Sequence, residues 1–170
     1  MSFKSSKNEN VVCCNFQVTA GCTYGANGEY TLLLSNPPAG KSLVNNEGAY
    51  LAAPYTIGTI SGLTQIKLNT DGIYSINVKV NNDFTGTATP TLFYIRIYAL
   101  QPTGWITIGS SELVAPIWDS DCTAISSSVF DTRVINSKTI CINVFSQQTL
   151  ITATDTTHHF QGVLVSRISL

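Results

Sequence analysis

The stretch Gln65-Ile-Lys-Leu-Asn-Thr-Asp-Gly-Ile-Tyr-Ser-Ile-Asn-Val-Lys-Val80 alternates apolar and polar residues on both sides of a short polar turn. Strict alternation places successive side chains on opposite faces of a β-strand, and an Asp-Gly pair suits a tight turn. We therefore predict a β-hairpin at this position. Its predicted buried face carries Ile66, Leu68, Tyr74, Ile76, Val78 and Val80.

The same alternation recurs along the chain and extends through its last residues, Phe160-Gln-Gly-Val-Leu-Val-Ser-Arg-Ile-Ser-Leu170. No segment shows the periodicity of an amphipathic helix, so the sequence predicts an all-β fold of nine or ten strands. Gly21–Gly28 is predicted as a turn region, and Ala39–Ala53 as a long surface excursion. Further strands are predicted at Val11–Thr19, Glu29–Ser35, Tyr55–Ile60, Thr91–Leu100, Trp105–Ile108, Ser127–Thr132, Thr139–Phe145 and Phe160–Leu170.

The composition fits one domain with little charge. The chain has 170 residues, of which 11% are charged and 44% are hydrophobic, and its formal net charge is −1. No linker divides it, so we predict a flexible or partner-contacting arm at residues 1–10 and one β domain at residues 11–170. A weakly charged surface repels its neighbours little and tolerates close packing in an assembly.

Charge and hydropathy also argue against several partners. Without a basic run, the chain lacks the charges that neutralise phosphates, so nucleic-acid binding is not expected. No apolar run approaches the roughly 20 residues that a membrane-spanning helix needs. The polar N-terminus has no apolar core of a signal peptide, so we expect no secretory signal.

The segment Thr91–Leu100 is apolar on both faces of its predicted strand. Phe93, Ile95, Ile97 and Ala99 fall on one side, and the opposite side also carries large apolar or aromatic residues. Because the outer face of a simple sandwich should meet water, the second apolar face needs a cover. We predict that another copy of the chain provides it. The predicted interface residues are Tyr94, Arg96, Tyr98 and Leu100.

Three phrases in order resemble the tumour necrosis factor and complement globular-head superfamily. They are Ile66–Val80, Phe130–Val144, and Thr157–Val165 with its continuation to Leu170. The usual turn of the second phrase is replaced here by Ile135-Asn-Ser137. The resemblance implies a single jelly-roll β-sandwich of two antiparallel sheets, each with about five strands. It also implies a tight homotrimer whose threefold axis is lined by an aromatic-rich face, a role that suits Thr91–Leu100.

Candidate metal ligands are few and poorly arranged. His158 and His159 are adjacent, so on an extended chain they face opposite ways, and a ring of imidazoles around a threefold axis is the alternative to ordinary solvation. Asp119 and Asp121 could present two carboxylates to Ca²⁺, although the rest of a helix-loop-helix calcium site is missing. The other acidic candidates are Asp131 and Asp155. We predict no metal site and no cofactor.

The five cysteines match no zinc-binding spacing. They are Cys13, Cys14, Cys22, Cys122 and Cys141. We favour free thiols that pack as small apolar residues, and a disulfide between Cys22 and Cys122 is the alternative.

No catalytic motif is present. The chain lacks a Gly-x-Ser-x-Gly elbow, a phosphate-binding glycine loop and a suggestive pair of glutamates, so we predict that it is not an enzyme. Trp105 and Trp118 flank a loop-rich stretch beside Pro102 and Pro116. They are either packing residues or a contact loop for a receptor or glycan.

These observations favour a structural role over chemistry. The predicted function is a homotrimeric jelly-roll component or decoration of a virus capsid, located on the virion and contacting other shell proteins. The first alternative is a structural protein of a bacterial spore or cell surface. The second is a trimeric head that binds a host receptor or carbohydrate.

Overall fold

The computed structural model describes residues 13–37, 49–52, 55–57, 60–84, 91–115, 121–154 and 161–169. This part of the chain forms fifteen β-strands and contains no helix. In chain order the strands are β1 (Cys13–Val18), β2 (Thr23–Tyr24), β3 (Gly28–Thr31), β4 (Leu34–Ser35), β5 (Ala49–Leu51), β6 (Tyr55–Ile57), β7 (Ile60–Leu63), β8 (Ile66–Leu68), β9 (Ile73–Phe84), β10 (Thr91–Gln101), β11 (Gly104–Ala115), β12 (Asp121–Asp131), β13 (Thr139–Ser146), β14 (Leu150–Thr152) and β15 (Gly162–Ser169).

Two antiparallel sheets carry most of these strands. The first sheet has seven strands. Six of them follow the order β2-β14-β9-β15-β1-β4, and the seventh, β12, pairs with the edge of β9 that faces away from β14 and β15. The second sheet has six strands in the order β11-β10-β13-β8-β5, with β3 also paired to β13. Strands β6 and β7 form a separate antiparallel pair. The all-β sandwich is confirmed, with more strands per sheet than the predicted five.

The core lies between the inner faces of the two sheets. On β9 the alternate residues Tyr74, Ile76, Val78 and Val80 are almost fully buried, as the sequence pattern predicts. On β10 the facing set is also fully buried and comprises Phe93, Ile95, Ile97 and Ala99. Burying each large aliphatic side chain contributes about 1.5–3 kcal/mol, so these two strands anchor the sandwich.

The predicted hairpin at residues 65–80 is wrong. Strand β8 pairs with β13 and β5 in the second sheet, whereas β9 pairs with β12, β14 and β15 in the first. The turn between them crosses from one sheet to the other, because Ile66 and Tyr74 must face one core from opposite sides. Contacts within the turn and to a second loop hold it: the Tyr74 hydroxyl donates to the Thr70 carbonyl (2.9 Å), and the Gly72 amide donates to Thr132 Oγ1 (3.0 Å).

Two further predictions need correction. The strand predicted at Glu29–Ser35 divides into β3 in the second sheet and β4 in the first, because the chain changes sheets at the buried Leu32. The predicted turn region Gly21–Gly28 contains the short strand β2, and the predicted excursion contains β5. The N-terminal arm, residues 1–10, lies outside the described residues.

The two sheets meet at a corner formed by β11 and β12. A Cβ atom at Gly109 would lie 2.9 Å from the Ser128 Cβ and 3.3 Å from the Ser127 carbonyl oxygen, so this approach requires glycine. The Ser128 hydroxyl donates to the Ile108 carbonyl (2.6 Å) and joins the two strands directly.

Within the described ranges, no helix is long and apolar enough to cross a membrane.

Candidate interaction surface

The predicted interface residues share the outer face of β10. Tyr94, Arg96 and Tyr98 are half-buried there, and Leu100 is 37% exposed, whereas the residues between them point into the core. The division of this strand into two faces is therefore confirmed. Its outer side chains are partly covered by other parts of the same chain, so their burial does not by itself require a second subunit. The predicted interface remains a prediction.

Trp105 joins the same face. It lies in β11 directly opposite Leu100, and it is half-buried. The strand predicted at Trp105–Ile108 is confirmed but is longer, since β11 runs from Gly104 to Ala115, and most of the stretch predicted to be loop-rich is therefore strand. Trp118 lies outside the described residues. The structure thus brings a predicted ligand-contact residue beside the predicted interface residues.

Glu29 organises the centre of this face. Its strand, β3, pairs with β13, and its carboxylate reaches past β13 toward β10. Oε1 accepts hydrogen bonds from the Tyr98 hydroxyl (2.6 Å) and Asn143 Nδ2 (2.9 Å). Oε2 accepts from the Tyr94 hydroxyl (3.0 Å) and Arg96 Nη1 (3.3 Å). We call these five residues the Glu29 cluster.

Neighbouring side chains hold the Glu29 cluster in shape. The rings of Tyr94 and Phe145 stack nearly parallel, with centroids 4.6 Å apart, and the Arg96 guanidinium carbon lies 4.3 Å from the Tyr94 ring centroid. The Thr31 hydroxyl donates to Asn143 Oδ1 (3.0 Å), which orients the amide nitrogen toward Glu29. Stacking and cation–π contacts of this kind contribute roughly 0.5–1.5 kcal/mol each.

The Glu29 cluster shifts the pKa values of its members. Burial alone would raise the pKa of Glu29, but hydrogen bonds from Tyr98, Asn143 and Tyr94, with the charge of Arg96, outweigh it and lower the pKa. Burial and the hydrogen bond to Glu29 raise the pKa of both tyrosines. A carboxylate that accepts four donors is a weak base, so the arrangement suits binding and rigidity better than proton transfer.

Sequence reasoning did not find Glu29, Asn143 and Phe145. Glu29 is separated from Tyr94 by 65 positions and from Asn143 by 114. Only the strand register brings them together, and no local motif marks any of the three.

The predicted metal candidates do not assemble within the described ranges. Asp131 is engaged by Arg133 through two side-chain hydrogen bonds, of 2.9 and 2.7 Å. No group of three potential metal ligands occurs among the residues that the structure describes. Asp119, Asp155, His158 and His159 lie outside those residues, and Asp121 lies in β12 with its side chain undescribed.

Three cysteines form no disulfide, namely Cys14, Cys22 and Cys141. Because Cys22 is free, the alternative disulfide with Cys122 is not formed. Cys14 and Cys141 are buried, as expected for cysteines that pack as small apolar residues. Burial, with a smaller contribution from the Glu29 charge, raises the pKa of Cys141 to about 12, so its thiol is unreactive. Cys13 and Cys122 lie in β1 and β12.

Comparison with known proteins identifies the fold. No protein-family model matches the chain, and no curated protein matches it. Crystal structures of murine APRIL at pH 8.5 and pH 5.0 match with a TM-score of 0.58, at 9% and 10% sequence identity. Both matches cover 94% of this chain and 100% of the APRIL chain. The structure of Eiger TNF from S. frugiperda matches with a TM-score of 0.57 at 8% sequence identity. The match covers 94% of this chain and 93% of the Eiger chain.

The chain therefore has a tumour necrosis factor-like jelly-roll fold, and the predicted resemblance in fold is confirmed. Similarity at such low identity defines the architecture and leaves the role to be argued from the surfaces.

Proposed function

We propose that this protein is a non-enzymatic structural protein that assembles as a homotrimer and forms or decorates the shell of a virus particle. The observation that carries the proposal is a weakly charged, partly aliphatic outer face on the first sheet of a tumour necrosis factor-like sandwich. The low overall charge of 11% supports close packing of many copies.

The outer face of the first sheet leaves aliphatic side chains in water. Ile125 and Val129 on β12 are 63% and 65% exposed, and Leu164 on β15 is half-buried. Between them lie the small or neutral residues Ser75, Asn77, Ser127 and Ser166, which let another surface approach closely, and the charged Lys79, directly opposite Ile125. Depletion of charge around apolar side chains is typical of the buried centre of an interface. We propose this face as the main trimer contact.

The outer face of the second sheet is the second candidate for the trimer contact. It carries the residues predicted from the sequence, Tyr94, Arg96, Tyr98 and Leu100, and Trp105 adds to their aromatic character. Tyrosine, tryptophan and arginine are enriched among residues that dominate binding energy, which favours an interface here. The satisfied hydrogen bonds of the Glu29 cluster weaken the case, because this face needs no partner to shield its polar groups.

The assembly is tested by measuring the mass of the purified full chain by light scattering. We expect three times the subunit mass of 18.3 kDa at micromolar concentration. A stable monomer would contradict the proposal. Substitutions on the two faces then identify the contact, since only those at the contact should reduce the mass.

The location is tested separately. We would analyse purified virus particles and spores from the source organism by mass spectrometry. The protein should be found in the virus particles. Its presence on spores would favour the bacterial surface alternative. Strong and specific binding on a glycan or receptor array, with the protein absent from both preparations, would favour the binding head.

A further inference from the structure

A polar cavity of about 390 Å³ opens at the end of the sandwich where the β8–β9 turn meets the loop between β12 and β13. Its lining includes no residue of the Glu29 cluster and none of those named on the two candidate trimer faces. Its lining consists of Asp71, Thr132, Arg133, Asn136, Ser137 and Lys138. The volume suits a small ligand of about monosaccharide to disaccharide size, because small-molecule sites start near 300 Å³.

Charge is scarce in this chain, yet it concentrates around the cavity. Asp131 is occupied by Arg133 through paired hydrogen bonds. Lys138 Nζ lies 3.8 Å from an Asp71 carboxylate oxygen, and both side chains are about half exposed. Arg167 Nη2 donates to the Asp71 backbone carbonyl (2.9 Å) and does not meet its carboxylate. Three cationic side chains thus face two carboxylates, which leaves one net positive charge beside the cavity.

The cavity wall is held in place without a ligand. The Asp131 carbonyl accepts from the amides of Val134 (3.1 Å) and Ile135 (3.0 Å). The Ser137 amide donates to the Thr132 carbonyl (3.0 Å), and Gln101 Nε2 donates to the Ile135 carbonyl (2.7 Å). A loop ordered in this way loses little conformational entropy when a ligand binds.

We propose that this cavity binds an acidic sugar, meaning a pyranose that carries a carboxylate together with several hydroxyl groups. Lys138 and Arg133 supply charged donors for the carboxylate. The Asp71 carboxylate and the Asn136 amide supply acceptors for hydroxyl protons. The ligand must therefore bring both a negative charge and hydroxyl donors.

Simpler ligands match this lining less well. An isolated sulfate or carboxylate fills a small part of 390 Å³ and leaves the Asp71 carboxylate as a repulsive neighbour. The lining contains no aromatic side chain, so it offers no stacking platform to a flat heteroaromatic ligand. The inference goes beyond the proposed assembly and does not depend on it.

The test titrates the full-length protein with the methyl α-glycoside of N-acetylneuraminic acid and follows amide chemical shifts by NMR. We expect a Kd in the millimolar range (about −4 kcal/mol) and shift changes confined to residues 71 and 131–138. The methyl ester of the same sugar, which lacks the charge, should bind at least about tenfold more weakly.

Variants connect binding to the cavity. Lys138→Gln should weaken binding about fivefold to tenfold, and Arg133→Gln should do the same if its thermal unfolding matches the wild type. Lys138 is the decisive position, because its one ion pair is loose and its loss should leave the fold intact. The matched control is Lys79→Gln on the outer face of the first sheet, which should bind like the wild type.

Four results would overturn the proposal: no shift changes up to about 50 mM sugar, equal binding of the ester, sulfate binding as tightly as the sugar acid, or an unaltered Kd in Lys138→Gln. Light scattering of the same samples reports the oligomeric state independently. A monomer that still binds the sugar acid would contradict the trimer and leave this inference standing.

Discussion

Both outer faces of the sandwich are formed by alternating strands, but they differ in how far their outward side chains are hydrogen-bonded and packed within one subunit. On the second sheet, Glu29 accepts four hydrogen bonds, and Arg96, Tyr94 and Phe145 pack side by side, so the face is satisfied within one chain. On the first sheet, Ile125 and Val129 stand among serines with no cover. Aromatic content alone therefore does not decide between the two faces. What matters is which side chains a single subunit leaves unsatisfied.

The largest expected effect comes from charging the first face. Ile125→Lys combined with Val129→Lys would place two ammonium groups in the proposed contact, each at a cost of several kcal/mol. We expect the mass measured by light scattering to fall to that of one subunit. The matched control is Val134→Lys on the β12–β13 loop, where the valine is 81% exposed, and it should leave the trimer intact.

The same experiment on the second face sharpens the comparison. Leu100→Lys should leave the mass unchanged if the first face is the contact. Dissociation by Leu100→Lys together with a stable trimer in the Ile125 and Val129 double variant would reverse our assignment and support the face predicted from the sequence.

Removing Glu29 should have a medium effect on the stability of the subunit. Glu29→Ala leaves the hydroxyls of Tyr94 and Tyr98 and the Arg96 guanidinium without their shared acceptor. We expect the free energy of unfolding in urea to fall by about 2 kcal/mol, since each deprived partner is only partly buried. Thr107→Ala, an exposed position on the same face, should change it by less than about 0.5 kcal/mol.

A double-mutant cycle on the stacked pair should give a smaller value. Tyr94→Leu, Phe145→Leu and the double variant isolate the coupling between the rings, which we expect to be about 1 kcal/mol. A coupling indistinguishable from zero would mean that the rings are held by their separate surroundings and that the stack contributes nothing of its own.

The pH dependence should show the smallest effect. The folded pKa of Glu29 lies below its unfolded value, so Glu29 stabilises the protein above the unfolded pKa and this contribution is lost as the pH falls through the folded pKa. We expect the stability difference between wild type and Glu29→Gln to be full near pH 6 and to shrink as the pH falls from about 5 through the lowered folded pKa. A difference that stays constant across that window would show that the charge of Glu29 is not what stabilises the cluster.

Local patterns in the sequence predicted correctly which side chains of β9 and β10 face the core, but they predicted incorrectly which strand pairs with β8. The inward residues of β9 and β10 follow from alternation, because the period of two is a property of the strand alone. The same alternation cannot tell whether β8 pairs with β9 or with β13, and it led to the wrong hairpin. A turn such as Asn69–Gly72 can join strands of one sheet or cross between two, and the deciding contact, with Thr132, is 60 residues away.

The candidate sites were predictable to the same limited extent. Tyr94, Arg96, Tyr98 and Leu100 could be placed on one face because they alternate within one strand. Their shared acceptor Glu29 could not, since it comes from another strand and depends on the register of β3 against β13. The acidic-sugar cavity likewise combines Asp71 with Lys138, two residues whose proximity no local pattern reveals.

The position of β9 has a consequence for biogenesis. This strand pairs along one edge with β12 and along the other with β14 and β15, so all of these partners emerge from the ribosome after it. Until they arrive, β9 exposes hydrogen-bonding edges that could template pairing with a second nascent chain. Contacts so distant in sequence favour slow folding, in milliseconds to seconds. Synthesis on crowded polysomes should therefore favour aggregation, and co-expressed chaperones should raise the yield of folded protein.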